Sequence, residues 1–121
     1  MIELTYETIR GQHFTEAFGA LMQQPFPIRV SKQIAEIYRD LKIELQTSTD
    51  LFLKMVEQYG EIDKEKGSWK IKPENEEAWQ KAVAEFQKQK IEMKREKINL
   101  ADLQKITLSP VQLEALDPIL Q

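Results

Sequence analysis

Residues 28–59 constrain the fold more than any other part of the chain. Val30, Ile34, Ile37, Leu41, Leu45, Ser48, Phe52, Met55 and Tyr59 follow one another at steps of three or four, the spacing of one helix face. Pro25, Phe26 and Pro27 stand just before this run and Gly60 just after it. Each proline ring drives the preceding residue toward extended geometry, and a glycine after a helix suits a left-handed cap. The pattern predicts a helix from Ile28 to Tyr59, about 45 Å long at roughly 1.5 Å per residue. The polar run Gln46-Thr47-Ser48-Thr49-Asp50 marks a place for a bend. So long an apolar face needs cover, and the rest of the chain must supply it.

Four other segments are candidates. A helix is expected over Thr5–Gln23, with Thr5 as its N-cap and Glu7 near the positive end of its dipole. Phe14, Ala17, Phe18, Leu21 and Met22 form its apolar face. Gly11 and Gly19 weaken it by about 1 kcal/mol each relative to Ala, so it depends on packing. Residues 61–72 read as a β-hairpin or ordered loop, with Ile62 and the pair Trp69/Ile71 flanking Asp63-Lys64-Glu65-Lys66-Gly67. A third helix is expected from Pro73 to Lys97: proline suits a first turn. Glu74, Glu76 and Glu77 at one end, and Lys94, Arg95 and Lys97 at the other, complement its dipole. Ala78, Trp79, Ala82, Val83, Phe86 and Met93 are its apolar face, which thins after Phe86. Ile98, Leu100, Leu103, Ile106 and Leu108 read as an irregular stretch laid along a hydrophobic groove. Ser109-Pro110-Val111-Gln112 then starts a short helix, Pro110–Leu116, that Asp117-Pro118 stops.

The fold class this implies is all-α with a minor β-hairpin, in one domain over 1–121. It comprises an N-terminal helix (1–24), an antiparallel helical hairpin (28–97) with a hairpin-like connection at 61–72, and a C-terminal docking segment (98–121). The chain has 121 residues, 41% hydrophobic and 31% charged, a globular balance with room for one modest core. No apolar run approaches the roughly 20 residues that cross a bilayer. The start Met1-Ile2-Glu3-Leu4 lacks the basic and apolar parts of a secretory signal. A cytoplasmic protein without membrane partners is therefore expected.

Little in the sequence points to catalysis. There is one histidine, His13, and no cysteine, which leaves no thiol, no disulfide and no histidine-rich triad or zinc site. The carboxylates fall in helix-surface patterns, and Glu61 and Asp63 fit turn chemistry. Neither a glycine-rich phosphate loop nor a hydrolase or zinc-protease motif is present. No enzyme activity, cofactor or metal is expected, and no residue is assigned to one.

Binding is better represented. Lys88, Lys90, Lys94, Arg95 and Lys97 form the basic cluster of the chain, a candidate phosphate-binding patch that a helical hairpin would place near Arg29 and Lys32. The competing reading is a solvated helix end. Glu92 and Glu96 dilute the cluster, and the net charge of −3 limits nucleic-acid affinity to a weak, salt-sensitive kind. Phe26, Tyr59, Trp69 and Trp79 should gather at the hairpin ends, in core packing first and as interface anchors second. Leu103, Ile106, Leu108, Leu113, Leu116 and Ile119 are too apolar for a free end. They are the candidate partner-binding residues, either clamped onto the hairpin or held for a partner.

The order of short motifs resembles a set of small, uncharacterised helical proteins of tailed bacteriophages. The resemblance is carried by Leu4-Thr5-Tyr6-Glu7, the elbow at Pro25 and Pro27, and Tyr59-Gly60. Pro73-Glu74-Asn75, Leu108-Ser109-Pro110 and Leu116-Asp117-Pro118 complete it. It implies a phage context in the host cytoplasm or on the virion, and no catalytic residues. The leading expectation is a non-catalytic virion or assembly accessory that binds other virion proteins or itself. Behind it stand a small viral inhibitor or regulator of a host enzyme or defence protein, and then a weak nucleic-acid-binding module.

Overall fold

A computed structural model describes residues 1–63 and 65–121. The chain runs β1 (Ile2–Thr5), α1 (Tyr6–Arg10), α2 (Gln12–Met22), α3 (Ile28–Tyr59), β2 (Gly60–Asp63), β3 (Ser68–Ile71), α4 (Glu76–Gln87), β4 (Lys90–Met93) and α5 (Pro110–Ala115), with short 3-10 turns at Pro73–Asn75, Leu100–Leu103 and Asp117–Ile119. It is mostly helical, with two separate two-stranded antiparallel sheets, β1–β4 and β2–β3. Among the described residues, no helix is long and apolar enough to cross a membrane.

α3 has the bounds its apolar stripe predicts and is the axis of the molecule. Val30, Ile34, Ile37, Leu41 and Ser48 of the stripe are buried, while Leu45, Phe52, Met55 and Tyr59 are half-buried. Gly60 ends the helix differently from expectation. Its backbone is extended, not left-handed, because the chain turns straight into β2. A Cβ there would come within 2.6 Å of the Lys70 carbonyl oxygen across the hairpin. The left-handed glycine is Gly67, at φ 64° in the hairpin turn. There the Asp63 carboxylate accepts from the backbone N–H groups of Glu65 and Lys66.

The N-terminal region departs from the single helix expected over Thr5–Gln23. Thr5 does cap α1, its hydroxyl accepting from the Thr8 backbone at 3.2 Å. But Gly11 is extended and breaks the run into α1 and α2. Ahead of Thr5, Ile2–Thr5 pairs with Lys90–Met93: Ile2 opposite Met93, Glu3 opposite Glu92, Leu4 opposite Ile91 and Thr5 opposite Lys90. Ile2, Leu4, Ile91 and Met93 face the core and the charged residues face out.

The same pairing corrects the third helix. It does not continue to Lys97. α4 stops at Gln87, and the backbone N–H of Tyr6 takes the Gln89 carbonyl at 3.1 Å. Strand pairing with residues at the other end of the chain wins over the helix-forming composition of 88–97, where context decides more than propensity. The predicted long hairpin of two helices is thus a long α3 and a short α4. Trp79 meets Tyr59 and Phe52, and Phe86 meets Phe52. The return is tied down at its start, where the Asn75 amide donates to the Tyr59 carbonyl at 3.1 Å.

The C-terminal segment closes the proximal core. Ile98 bridges Leu120 in parallel, donating to the Ile119 carbonyl at 2.7 Å and accepting from Gln121 at 2.9 Å. Asn99 caps the next turn through the Ala101 N–H. α5 begins in a full capping box, with the Ser109 hydroxyl accepting from the Gln112 N–H and the Gln112 side chain accepting from the Ser109 N–H. Ile98, Leu103, Leu116, Ile119 and Leu120 join Ile2, Leu21, Val30 and Ile37 in one continuous core.

Candidate docking surfaces

The tail residues read as partner-binding divide by depth. Leu103, Leu116 and Ile119 lie in the protein's own core, so in the folded chain they are not presented to a partner. Ile106 and Leu108 are half-buried against that core. Leu113 remains outside at 37% exposed, with Leu100 and Val111 also exposed. The apolarity of the tail is spent inward, covering α2 and the strand β1.

The five residues of the candidate phosphate patch do not lie on one helix end. With α4 ending at Gln87, Lys88 is its C-cap, Lys90 lies on β4, and Lys94, Arg95 and Lys97 follow the strand. Lys90 sits 3.5 Å from Glu3. Arg95 bonds Asp40 at 2.8 Å and Glu36 at 3.2 Å. Its hydrogen bond to Asp40, and then the charges of Asp40 and Glu36, hold the guanidinium still more firmly protonated than usual. Gln33 donates to the carbonyls of Glu96 and Lys97, which fixes the segment against α3. Two of the five cations are therefore occupied by carboxylates, and Arg29, expected beside them, is paired with Asp102 at 2.9 Å. His13 is exposed on α2. Among the described residues no three His, Asp or Glu side chains converge in a way that could hold a metal ion.

The aromatic residues do gather, at the far end of α3. Phe52 lies 5.8 Å from Trp69, 5.6 Å from Trp79 and 5.8 Å from Phe86, centroid to centroid, and Trp69 and Trp79 are 5.6 Å apart. Tyr59 packs on Trp79 and Tyr6 on Phe86. Phe26, at the opposite end of α3, packs against the core there. The cluster is not sealed: Trp69 and Ile62 are each 44% exposed on the β2–β3 hairpin. Such tilted and edge-on ring pairs add about 0.5–1.5 kcal/mol each beyond the area they bury.

Arg10 clamps this cluster to α1 and escaped the reading of the sequence. Its guanidinium stands 5.3 Å from the Phe52 ring centre and 5.5 Å from that of Phe86. It donates to the Ser48 and Thr49 hydroxyls at 3.0 and 3.2 Å. This accounts for a serine in the apolar stripe. Ser48 is fully buried, and its hydroxyl accepts from Arg10 while donating to the Leu45 carbonyl at 2.8 Å. The available signal was that one polar residue at an otherwise apolar helical position needs a buried partner.

A second surface also went unread. α2 and α3 diverge to leave an apolar groove of about 270 Å³, with Phe14, Phe18 and Met22 on one side and Tyr38, Leu41 and Leu45 on the other. Phe18 stacks on Phe14 at 6.0 Å and on Tyr38 at 6.2 Å. Tyr38 lies off the main stripe of α3, so its role could be seen only once α2 was placed beside it.

Comparison with protein-family models, with curated proteins and with solved structures found no match to this chain.

Proposed function

We propose that this chain is a non-catalytic protein-binding accessory of a phage virion or of its assembly. The observation that carries the binding half of this reading is the open aromatic cluster at the distal end of α3. Trp69 touches Phe52 and Trp79 yet leaves nearly half its surface to solvent, beside an equally exposed Ile62. A rigid, pre-placed aromatic group with an uncovered face is the kind of anchor on which protein interfaces concentrate their energy. The phage half is supported by the motif resemblance. The tail supports it less than its composition suggested, since its deepest residues serve the core.

The test is to tag the chain in infected cells and fractionate particles and assembly intermediates. Co-sedimentation that Trp69→Ala abolishes, with the fold intact by circular dichroism, is the expected result. A stoichiometric complex with a host enzyme would replace the accessory reading with that of an inhibitor. A chain that sediments alone, with Trp69→Ala indistinguishable from the parent, would overturn the role of the cluster.

A further inference from the structure

Arg10 is held at one end and open at the other. Its Nη1 donates to the Ser48 hydroxyl at 3.0 Å and to the Thr49 hydroxyl at 3.2 Å, and its guanidinium stands 5.3 and 5.5 Å from the Phe52 and Phe86 ring centres. A guanidinium carries its N–H donors in a planar fork and stays charged at any pH a protein meets. Here Nη1 is used, while Nε and Nη2 bond no group among the described residues. No carboxylate among those residues comes within ion-pair reach of Arg10 either. In this it differs from Arg29, which meets Asp102, and from Arg95, which meets Asp40 and Glu36. The side chain is fixed in place with its charge and most of its donors unspent.

Beside it opens a cavity of about 320 Å³. Arg10, Glu7 and Gln87 line it from exposed positions, and Tyr6, Val83 and Phe86 from deeper ones. Gln87 adds an amide donor to the same rim. Glu7 decides which anion fits. Its carboxylate repels a doubly charged group more than a singly charged one, and a single guanidinium stands against the incoming charge. The planar fork matches a carboxylate, which it can meet with two parallel hydrogen bonds. The apolar wall of Val83 and Phe86 then calls for an apolar group next to that carboxylate.

We infer that this cavity is the seat of an acidic residue of a protein partner, its carboxylate bridging Nε and Nη2 of Arg10 and a neighbouring apolar side chain lying on Val83 and Phe86. The inference rests on the protein-binding reading and names the chemistry of the partner. Phe52 joins the two places, since its ring packs against Arg10 and lies 5.8 Å from Trp69.

NMR titration of the full chain with a blocked Leu-Asp-Leu tripeptide tests it, with blocked Leu-Asn-Leu as the uncharged control. The Arg10 Nε–H and Gln87 side-chain amide signals are expected to shift saturably with the acidic peptide, at a Kd of about 1 mM, the range of a single small contact. Binding of the control is expected to be about tenfold weaker, the usual loss when a charge-assisted hydrogen bond is removed. Glu7→Gln leaves the Arg10 clamp untouched and is expected to tighten the acidic peptide about two- to threefold by removing a surface repulsion. Arg10→Gln is expected to abolish the preference for Asp over Asn. Equal affinity for the two peptides overturns the inference, as does the absence of a saturable shift up to about 10 mM. So does a Glu7→Gln variant that binds the acidic peptide no more tightly than the parent. The titration uses the isolated chain and does not depend on Trp69. Co-sedimentation lost in Trp69→Ala with the titration intact, or the reverse, therefore tells the failure of one reading from that of the other.

Discussion

The two halves of α3 are built on different terms. The proximal half, Ile28 to Leu41, has Val30, Ile34, Ile37 and Leu41 buried under cover drawn from both ends of the chain: α2, the β1–β4 sheet and the tail. The distal half is covered by its immediate sequence neighbours, the β2–β3 hairpin and α4. Of its stripe Phe52, Met55 and Tyr59 are only half-buried, and the fully buried Val56 stands outside the main core. The first half is held mainly by aliphatic packing across long sequence separations, the second by ring-on-ring contacts and one arginine clamp. The difference teaches where stability and binding are divided. The deep core fixes the fold, while the shallow end holds large side chains in place without covering them.

The largest expected effect comes from removing the distant cover. Truncation after Lys97 deletes Ile98, Leu103, Leu116, Ile119 and Leu120 from the core and strips the outer partner from Ile2 and Leu21. Fully burying each such side chain contributes about 1.5–3 kcal/mol, so the loss exceeds what a marginally stable domain can absorb. Loss of cooperative thermal unfolding is expected. A truncated chain that melts like the parent would show the tail to be an appendage and erase the distinction between the halves.

Point substitutions sharpen the same contrast. Ile37→Ala, at a fully buried site, should cost about 2–5 kcal/mol by chemical denaturation. Trp69→Ala removes a larger side chain, but from a half-open site. About 1–2 kcal/mol is expected, well short of the roughly 3–5 for a buried ring. Equal costs would mean that the distal cluster is as tightly integrated as the core. Hydrogen exchange should agree, with amides of α3 past Phe52 opening more readily than those near Ile37, since shallow cover lowers the local opening energy.

How much of this was legible follows the same line. α3, the β2–β3 hairpin, the Thr5 and Ser109 caps and the proline elbow were all readable because their signals are local: a period, a turn sequence, a capping residue. The β1–β4 sheet was not, although Ile2-Glu3-Leu4 and Lys90-Ile91-Glu92-Met93 do alternate apolar and charged residues. Two four-residue alternations at opposite ends of a chain carry no sign that they belong together. One of them also followed a good helical pattern with no glycine or proline to stop it. That one omission carried the helix too far and placed on one helix end five cations that the fold distributes over a helix cap, a strand and the segment after it. It also hid the inward use of the tail. At the docking surfaces, Trp69 and Trp79 were legible as a group, but Tyr38 and Arg10 acquire meaning only from neighbours that the sequence does not name.

The smallest effect concerns the seam between the halves and the strand that reaches back past them. Arg95 follows β4 and bonds Asp40 and Glu36 on α3, while its own backbone N–H takes the Met93 carbonyl at 2.8 Å. The three side chains are about one-third exposed or less, at 34%, 33% and 27%. Water therefore screens the pairs, and surface pairs of this kind contribute little to stability. Because the guanidinium is pushed to still higher pKa by Asp40 and then Glu36, it stays charged throughout the range in which the protein can fold. Arg95→Met keeps the aliphatic stem along α3 and removes the charge. A small loss of stability is expected, shrinking further in high salt as screening takes over. A loss several times larger, insensitive to salt, would mean that Arg95 acts as a packed strut. The register of β4 against β1 would then depend on it, and the deep proximal half would rest on an ion pair as well as on its aliphatic core.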